Sequence, residues 1–181
     1  TQPPVISTLD VSPDGARLAV AGYHEVLLID TASWELASRL VGESPRIESV
    51  AFSPDGKSLA VSGGAPARFG EIQIWNVPEA RQIQGFRRTP DALFGISWSP
   101  DATRVATGGA DKSVRVTRIS DGQELMKFEN HGDWVFRTAW VADGTRLLSA
   151  SRDRAMKLID ASSGQFIDDV NKLLEPIDCM A

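Results

Sequence analysis

The strongest constraint on this chain is one short turn repeated four times. Ser12-Pro13-Asp14-Gly15, Ser53-Pro54-Asp55-Gly56, Ser99-Pro100-Asp101-Ala102 and Val141-Ala142-Asp143-Gly144 are each followed by a short apolar run. In such a turn proline presets the backbone angle of the second residue. Aspartate bonds back to nearby amides, and glycine takes the left-handed conformation that other residues resist. In the second copy Ile47, Val50 and Phe52 lead into the turn, and Leu59, Ala60 and Val61 lead out of it. Two apolar runs joined by so short a turn predict a β-hairpin.

The copies keep a register. Their first turn residues stand at 12, 53, 99 and 141, at spacings of 41, 46 and 42 residues. Upstream, apolar residues recur in columns: Ile6, Ile47, Leu93 and Val135; Leu9, Val50, Ile96 and Thr138; Val11, Phe52, Trp98 and Trp140. Within each copy the strands are short and divided by turn residues, with no helical period long enough to compete. A period of about 40–45 residues is that of one four-stranded propeller blade. The predicted fold is therefore all-β: a propeller of four-stranded antiparallel blades, four of them in this chain. The predicted bounds are a tail over 1–4, blades over 5–45, 46–90, 91–132 and 133–170, and a tail or truncated fifth repeat over 171–181. The first blade is expected to hold strands over Val5–Val11 and Trp34–Val41. In the second, Ala65 to Gly70 is expected as a lengthened loop, with Gly63-Gly64 ending the strand before it.

Composition narrows the function. The net charge is −5, with 19 basic against 24 acidic residues and only Arg87-Arg88 adjacent, so no basic stripe suits nucleic acid. No apolar run approaches the roughly 20 residues of a membrane helix, and no membrane insertion is expected. Cys179 is the only cysteine, which rules out an intrachain disulfide and leaves the compartment open. No cofactor is expected: Gly63-Gly64 and Gly108-Gly109 are not followed by the Gly-Lys-Ser/Thr of a phosphate loop, and no Gly-x-Ser-x-Gly elbow occurs. His24, beside Tyr23 and Glu25, reads as a solvated turn residue before it reads as a metal ligand, because a zinc site needs three or four converging ligands. Asp168-Asp169 lacks the spacing of a calcium loop.

These residues resemble the WD-repeat β-propeller family over positions 5 to 170. The fourth copy carries most of the family's pattern: Asn130-His131 for its Gly-His pair, Asp153 in the second hairpin and Ile159-Asp160 for its Trp-Asp. The second copy has Trp75-Asn76 at that last site, the first Ile29-Asp30 and the third Thr117-Arg118. The resemblance implies a buried structural network of His131, Ser149 and Asp153. Thr89 and Glu43 stand where the other copies would need the histidine. It also implies a partner-binding narrow face. By position that face would gather Val5, Ser7, Arg46, Glu48, Ala92, Phe94, Trp134, Phe136, Ala110 and Arg152. Of these the candidate residues are Arg46, Glu48, Phe94, Trp134, Phe136 and Arg152, since Trp, Phe and Arg are the residue types of interface hot spots. Trp134 and Phe136 equally suit packing against the loop above them. The order of the repeats, with Ala21 to Val26 and Ser151 to Arg154, is also similar to bacterial proteins that join WD repeats to a c-type haem domain. No Cys-x-x-Cys-His haem site accompanies it here.

The function expected is a non-catalytic scaffold that binds a protein partner. The alternative is a propeller module of a larger enzyme or electron-transfer protein. Four blades in an open arc leave two flanks bare. Either a second copy closes an eight-bladed ring, making a homodimer, or further blades belong to a longer product. The absence of an initiator Met at Thr1 and the unmatched residues 171–181 point to the second.

Overall fold

A computed structural model of the chain describes residues 6–170, apart from the side chains of Arg88 and Val170. It contains sixteen strands and, among those residues, no helix. They form four antiparallel sheets of four strands, each in sequence order. The first sheet holds β1 (Thr8–Val11), β2 (Arg17–Ala21), β3 (Glu25–Asp30) and β4 (Leu36–Val41). The second holds β5 (Ile47–Phe52), β6 (Ser58–Ala65), β7 (Phe69–Asn76) and β8 (Arg81–Thr89). The third holds β9 (Leu93–Trp98), β10 (Arg104–Gly109), β11 (Val114–Arg118) and β12 (Glu124–Phe128). The fourth holds β13 (Val135–Trp140), β14 (Arg146–Ser151), β15 (Met156–Asp160) and β16 (Phe166–Val170). The first strands β1, β5, β9 and β13 lie side by side in succession.

The repeated turns form for the reason their sequence suggests. Ser12, Ser53 and Ser99 each donate a hydroxyl hydrogen bond to the aspartate two residues on, at 2.6, 2.6 and 2.5 Å. The fourth residue is left-handed in every copy, with φ of 72° at Gly15, 70° at Gly56, 56° at Ala102 and 69° at Gly144. The last turn has Val141 in place of serine, and Thr145 Oγ1 donates to Asp143 Oδ1 instead, at 2.7 Å.

Three apolar cores stack these sheets as blades. The first joins Ala19, Val26, Leu28 and Leu40 to Val50, Phe52, Leu59 and Trp75. The second joins Ala60, Ile72, Ile74 and Phe86 to Leu93, Ile96 and Val105. The third joins Val114, Val116, Met126 and Phe128 to Val135, Leu147 and Ile159. Two indoles bind successive blades as well. Trp98 Nε1 donates to the Ala51 carbonyl at 2.9 Å, and Trp140 Nε1 to the Ser97 carbonyl at 3.2 Å. Gly95 lies so close to the next blade that an added Cβ would sit 2.5 Å from the Phe136 carbonyl oxygen.

Among the described residues no fourth core joins the last blade to the first. The apolar columns therefore hold in three copies and open in the first. Val50, Ile96 and Thr138 are 5–7% exposed, whereas Leu9 is 61% exposed. Ile6 and Val11 are likewise exposed. Strand pairing puts Leu18, Val20, Leu27, Ile29 and Leu36 on the same face as Leu9 and Val11. This is the face that each later blade turns onto its predecessor.

Three local expectations are corrected. β1 begins at Thr8 rather than residue 5, with residues 1–5 and 171–181 outside the described residues. β4 begins at Leu36, because Trp34 is left-handed (φ 59°) in a turn closed by its own N–H on the Asp30 carbonyl. The segment from Ala65 to Gly70 is not a lengthened loop. Its ends pair, Ala65 with Phe69 and Gly64 with Gly70, so Gly63 and Gly64 lie inside β6 and the extra residues extend the hairpin. Gly64 adopts φ 140°, where an added Cβ would meet the Phe69 carbonyl oxygen at 2.1 Å.

Candidate interaction face

Arg46, Glu48, Phe94, Trp134 and Phe136 line one hollow of about 310 Å³, together with Ser7 and Arg137. All four blades contribute, because the starts of their innermost strands converge there. Phe94 is the second residue of β9, Phe136 lies on β13 and Trp134 stands just before that strand. Their rings form a cluster: Phe94 to Trp134 5.5 Å, Phe94 to Phe136 5.4 Å, and Trp134 to Phe136 6.3 Å with planes at 87°. Trp134 is 40% exposed. The Arg152 guanidinium stands 5.3 Å from the Trp134 ring centroid, within range of a cation–π contact. It also lies 3.9 Å from the Asp133 carboxylate. Of the other positions named for this face, Ala92 and Ala110 are buried, and Val5 lies outside the described residues.

Charge in the hollow is uneven. Arg46 Nε pairs with Glu48 Oε1 at 2.8 Å. Burial pushes the Glu48 carboxyl above its ordinary range, against the opposing pull of the Arg46 and Arg137 charges. Arg137 gives one hydrogen bond, Nη1 to the Phe136 carbonyl at 3.2 Å. Among the described residues it has no carboxylate within ion-pair distance.

His131, Ser149 and Asp153 meet below the loop that leads into the fourth blade. His131 Nδ1 lies 2.9 Å from Asp153 Oδ2, and Nε2 lies 2.8 Å from Ser149 Oγ. Asp153 Oδ2 also accepts from the Gly132 N–H at 2.8 Å, and Oδ1 from the Ala155 N–H at 3.0 Å. Burial raises the Asp153 pKa, but the bonds from Gly132, His131 and Ala155 outweigh it and leave the carboxyl below its ordinary value. An ionised carboxylate only accepts, so Nδ1 carries the proton and Nε2 accepts from Ser149. Desolvation holds the imidazole pKa below its usual value, with Asp153 opposing. A neutral histidine bonded at both ring nitrogens ties the loop to the hairpin.

The other blades hold their loops with residues that the repeat pattern does not single out. In the second, Glu43 is an outward partner of Arg87, and the neighbouring Ser44 is the buried residue. Ser44 Oγ donates to Glu71 Oε2 at 2.6 Å, Gln73 Nε2 donates to the same carboxylate at 3.0 Å, and Trp75 Nε1 donates to Gln73 Oε1 at 3.1 Å. In the third, Thr89 Oγ1 donates to the Asp91 carbonyl at 2.5 Å. There Arg115, 5% exposed, claims Asp111 at 2.6 Å and Glu124 at 3.1 Å. Thr107, which the turns align with Ser149, is left with a buried hydroxyl that has no partner. The signal for both clusters was a charged or amide residue at an inward strand position, Glu71 or Arg115, which burial requires to be paired.

Comparison with known proteins finds similarity to WD-repeat sequences. A model of the WD domain, G-beta repeat, matches residues 34–65, and a model of the anaphase-promoting complex subunit 4 WD40 domain matches residues 96–181. An uncharacterized WD repeat-containing protein from Synechocystis sp. is 26% identical over 114 residues, 62% of this chain. The chain spans 31% of that relative's length. These similarities support the WD-repeat family, whose repeats generally mediate protein–protein interaction and whose domains are typically non-catalytic.

Proposed function

We propose that this chain is a non-catalytic WD-repeat scaffold that binds a protein partner through the narrow-face hollow. One observation carries the reading: side chains from all four blades converge on a cluster of three aromatic rings rimmed by arginines. Aromatic residues beside arginine are the usual energetic centre of a protein interface. His131, Ser149 and Asp153 act as structural support, holding the loop from which Trp134 projects. The test is affinity capture with the intact chain and with Phe94→Ser/Trp134→Ser. A partner retained by the first and lost by the second, with unchanged melting temperature, is expected. Equal capture by both would overturn the reading.

A second reading concerns the exposed first flank. We infer that a second copy covers it, its fourth blade packing on the first blade of its partner, so that two arcs close an eight-bladed ring. The supporting observation is the 61% exposure of Leu9 at a position where Val50 and Ile96 are covered. Light scattering on a sizing column tests it. Twice the chain mass of 19.6 kDa, reduced to one chain by Leu9→Asp, is expected; a wild-type monomer would refute it.

A further inference from the structure

The hollow's own charges and size specify what it takes. A volume of about 310 Å³ stands at the small end of the roughly 300–1,000 Å³ range of ligand pockets, with room for one or two side chains of a partner. The apolar wall is the ring cluster of Phe94, Trp134 and Phe136, 5.4–6.3 Å between centroids. The polar wall is Arg46, Glu48 and Arg137. Arg46 and Glu48 satisfy each other at 2.8 Å, and Arg137 spends one of its five N–H donors on the Phe136 carbonyl. Arg137 is thus a half-buried guanidinium with no carboxylate within ion-pair distance among the described residues, feeling Glu48 only at longer range. With Arg152 at the rim, the surroundings carry three cations, Arg46, Arg137 and Arg152, against two acids, Glu48 and Asp133. The whole chain carries −5, so these five residues differ in sign from the molecule.

We propose that the hollow binds a short partner segment in which an aromatic or large apolar side chain stands beside a carboxylate. The side chain seats against Phe94, Trp134 and Phe136, and the carboxylate pairs with Arg137. This rests on the narrow face being the interaction site. Charge decides against the opposite chemistry. A methylated lysine needs an open ring face, and an unmodified lysine a free carboxylate as well. Here the Arg152 guanidinium already lies 5.3 Å from the Trp134 centroid, and Glu48 is engaged by Arg46. Planar guanidinium and carboxylate match in a two-point contact, which adds direction to the attraction.

Fluorescence anisotropy on the full chain tests this with three labelled peptides. The acidic probe is Gly-Ser-Glu-Phe-Glu-Ser-Gly. One twin carries trimethyl-lysine for each glutamate, and the other carries glycine for phenylalanine. The acidic probe is expected to bind at least tenfold tighter than either twin, and more weakly as salt rises. Arg137→Gln should weaken it about tenfold, the size of effect a partly exposed charge pair supports, and Arg137→Lys less. Trp134→Ala should weaken it too. Circular dichroism confirms that each variant is folded. Equal or tighter binding of the trimethyl-lysine twin overturns the proposal. If that binding is lost in Trp134→Ala, the narrow face remains the interaction site and only its chemistry is wrong. Binding unchanged by both Arg137→Gln and Trp134→Ala refutes the site itself. No binding of the acidic probe up to about 1 mM, the weakest affinity worth the name, also overturns the proposal.

Discussion

Replacing Asp153 with alanine removes the acceptor shared by His131 Nδ1 and the Gly132 and Ala155 N–H groups, now at 2.9, 2.8 and 3.0 Å. The His131 side chain is 0% exposed, so water does not reach its orphaned N–H. A hydrogen bond to a charged group contributes about 1.5–3 kcal/mol, and a buried donor left unpaired costs about the same. Gly132 is exposed and its N–H can turn to solvent, so its share is small. The loss expected for Asp153→Ala is then about 3 kcal/mol, and about 1–2 kcal/mol for Asp153→Asn, which keeps one acceptor oxygen. Urea denaturation at pH 7.5 measures it. A pH series adds a second readout. In the unfolded chain the imidazole gains a proton near pH 6.5; in the folded chain, where burial holds its pKa lower, it does so only at lower pH. Between those points the unfolded state binds more protons. Stability is therefore full above about pH 6.5 and falls as the solution is acidified through that window. Without the carboxylate that favours imidazolium, the folded pKa drops further and the loss deepens. A cost below about 0.5 kcal/mol, the ordinary scale of a neutral surface change, would refute this account of the network. So would a pH dependence identical to wild type.

Other substitutions test the open arc and the strained positions. Ile96→Ala should cost about 2–5 kcal/mol, and Leu9→Ala, its counterpart on the bare flank, under about 1 kcal/mol in a monomer; thermal melts compare them, and equal costs would mean the flank is covered. Trp34 is 71% exposed at φ 59°, where the aligned residues of later blades are Ala80, Gly122 and Gly164. Trp34→Gly should raise stability by up to about 1 kcal/mol by relieving a left-handed backbone. Thr107→Val, which replaces the unpartnered buried hydroxyl with a methyl of the same shape, should stabilise by about 1 kcal/mol in urea; a loss would show that the hydroxyl is bonded.

Much of the fold was legible because turns and columns are local. The Ser-Asp bond in each turn joins residues two apart, and the columns are spaced along single strands. Which column would be buried was not legible, since Leu9 reads the same as Ile96 until a neighbouring blade covers one and not the other. The added hairpin length around Gly64 was missed because glycine pairs read as breaks, whereas here they let the neighbouring backbone on both sides approach β6 closely. His131, Ser149 and Asp153 are 22 residues apart at most and recognisable by their types. Ser44 with Glu71, or Arg115 with Glu124, are not. They solve the same local problem with unrelated groups: an inward Glu71 or Arg115 signals that a partner must exist, and only the distances reveal which one. For the hollow, the aromatic residues stood out by position. Arg137 did not, because its importance comes from having no carboxylate within ion-pair distance, which only the folded chain shows.

The two indole bonds, Trp98 to Ala51 and Trp140 to Ser97, point the same way along the arc. By them the third blade holds the second and the fourth holds the third, and none of the described blades is held from beyond the last. The angle from one blade to the next is thus decided pair by pair, with no circumference imposed on it. Ring size in such a molecule is not stored anywhere as a number: it is what a local angle, repeated, adds up to. Losing one indole would loosen the angle between two blades before it changed the inside of either.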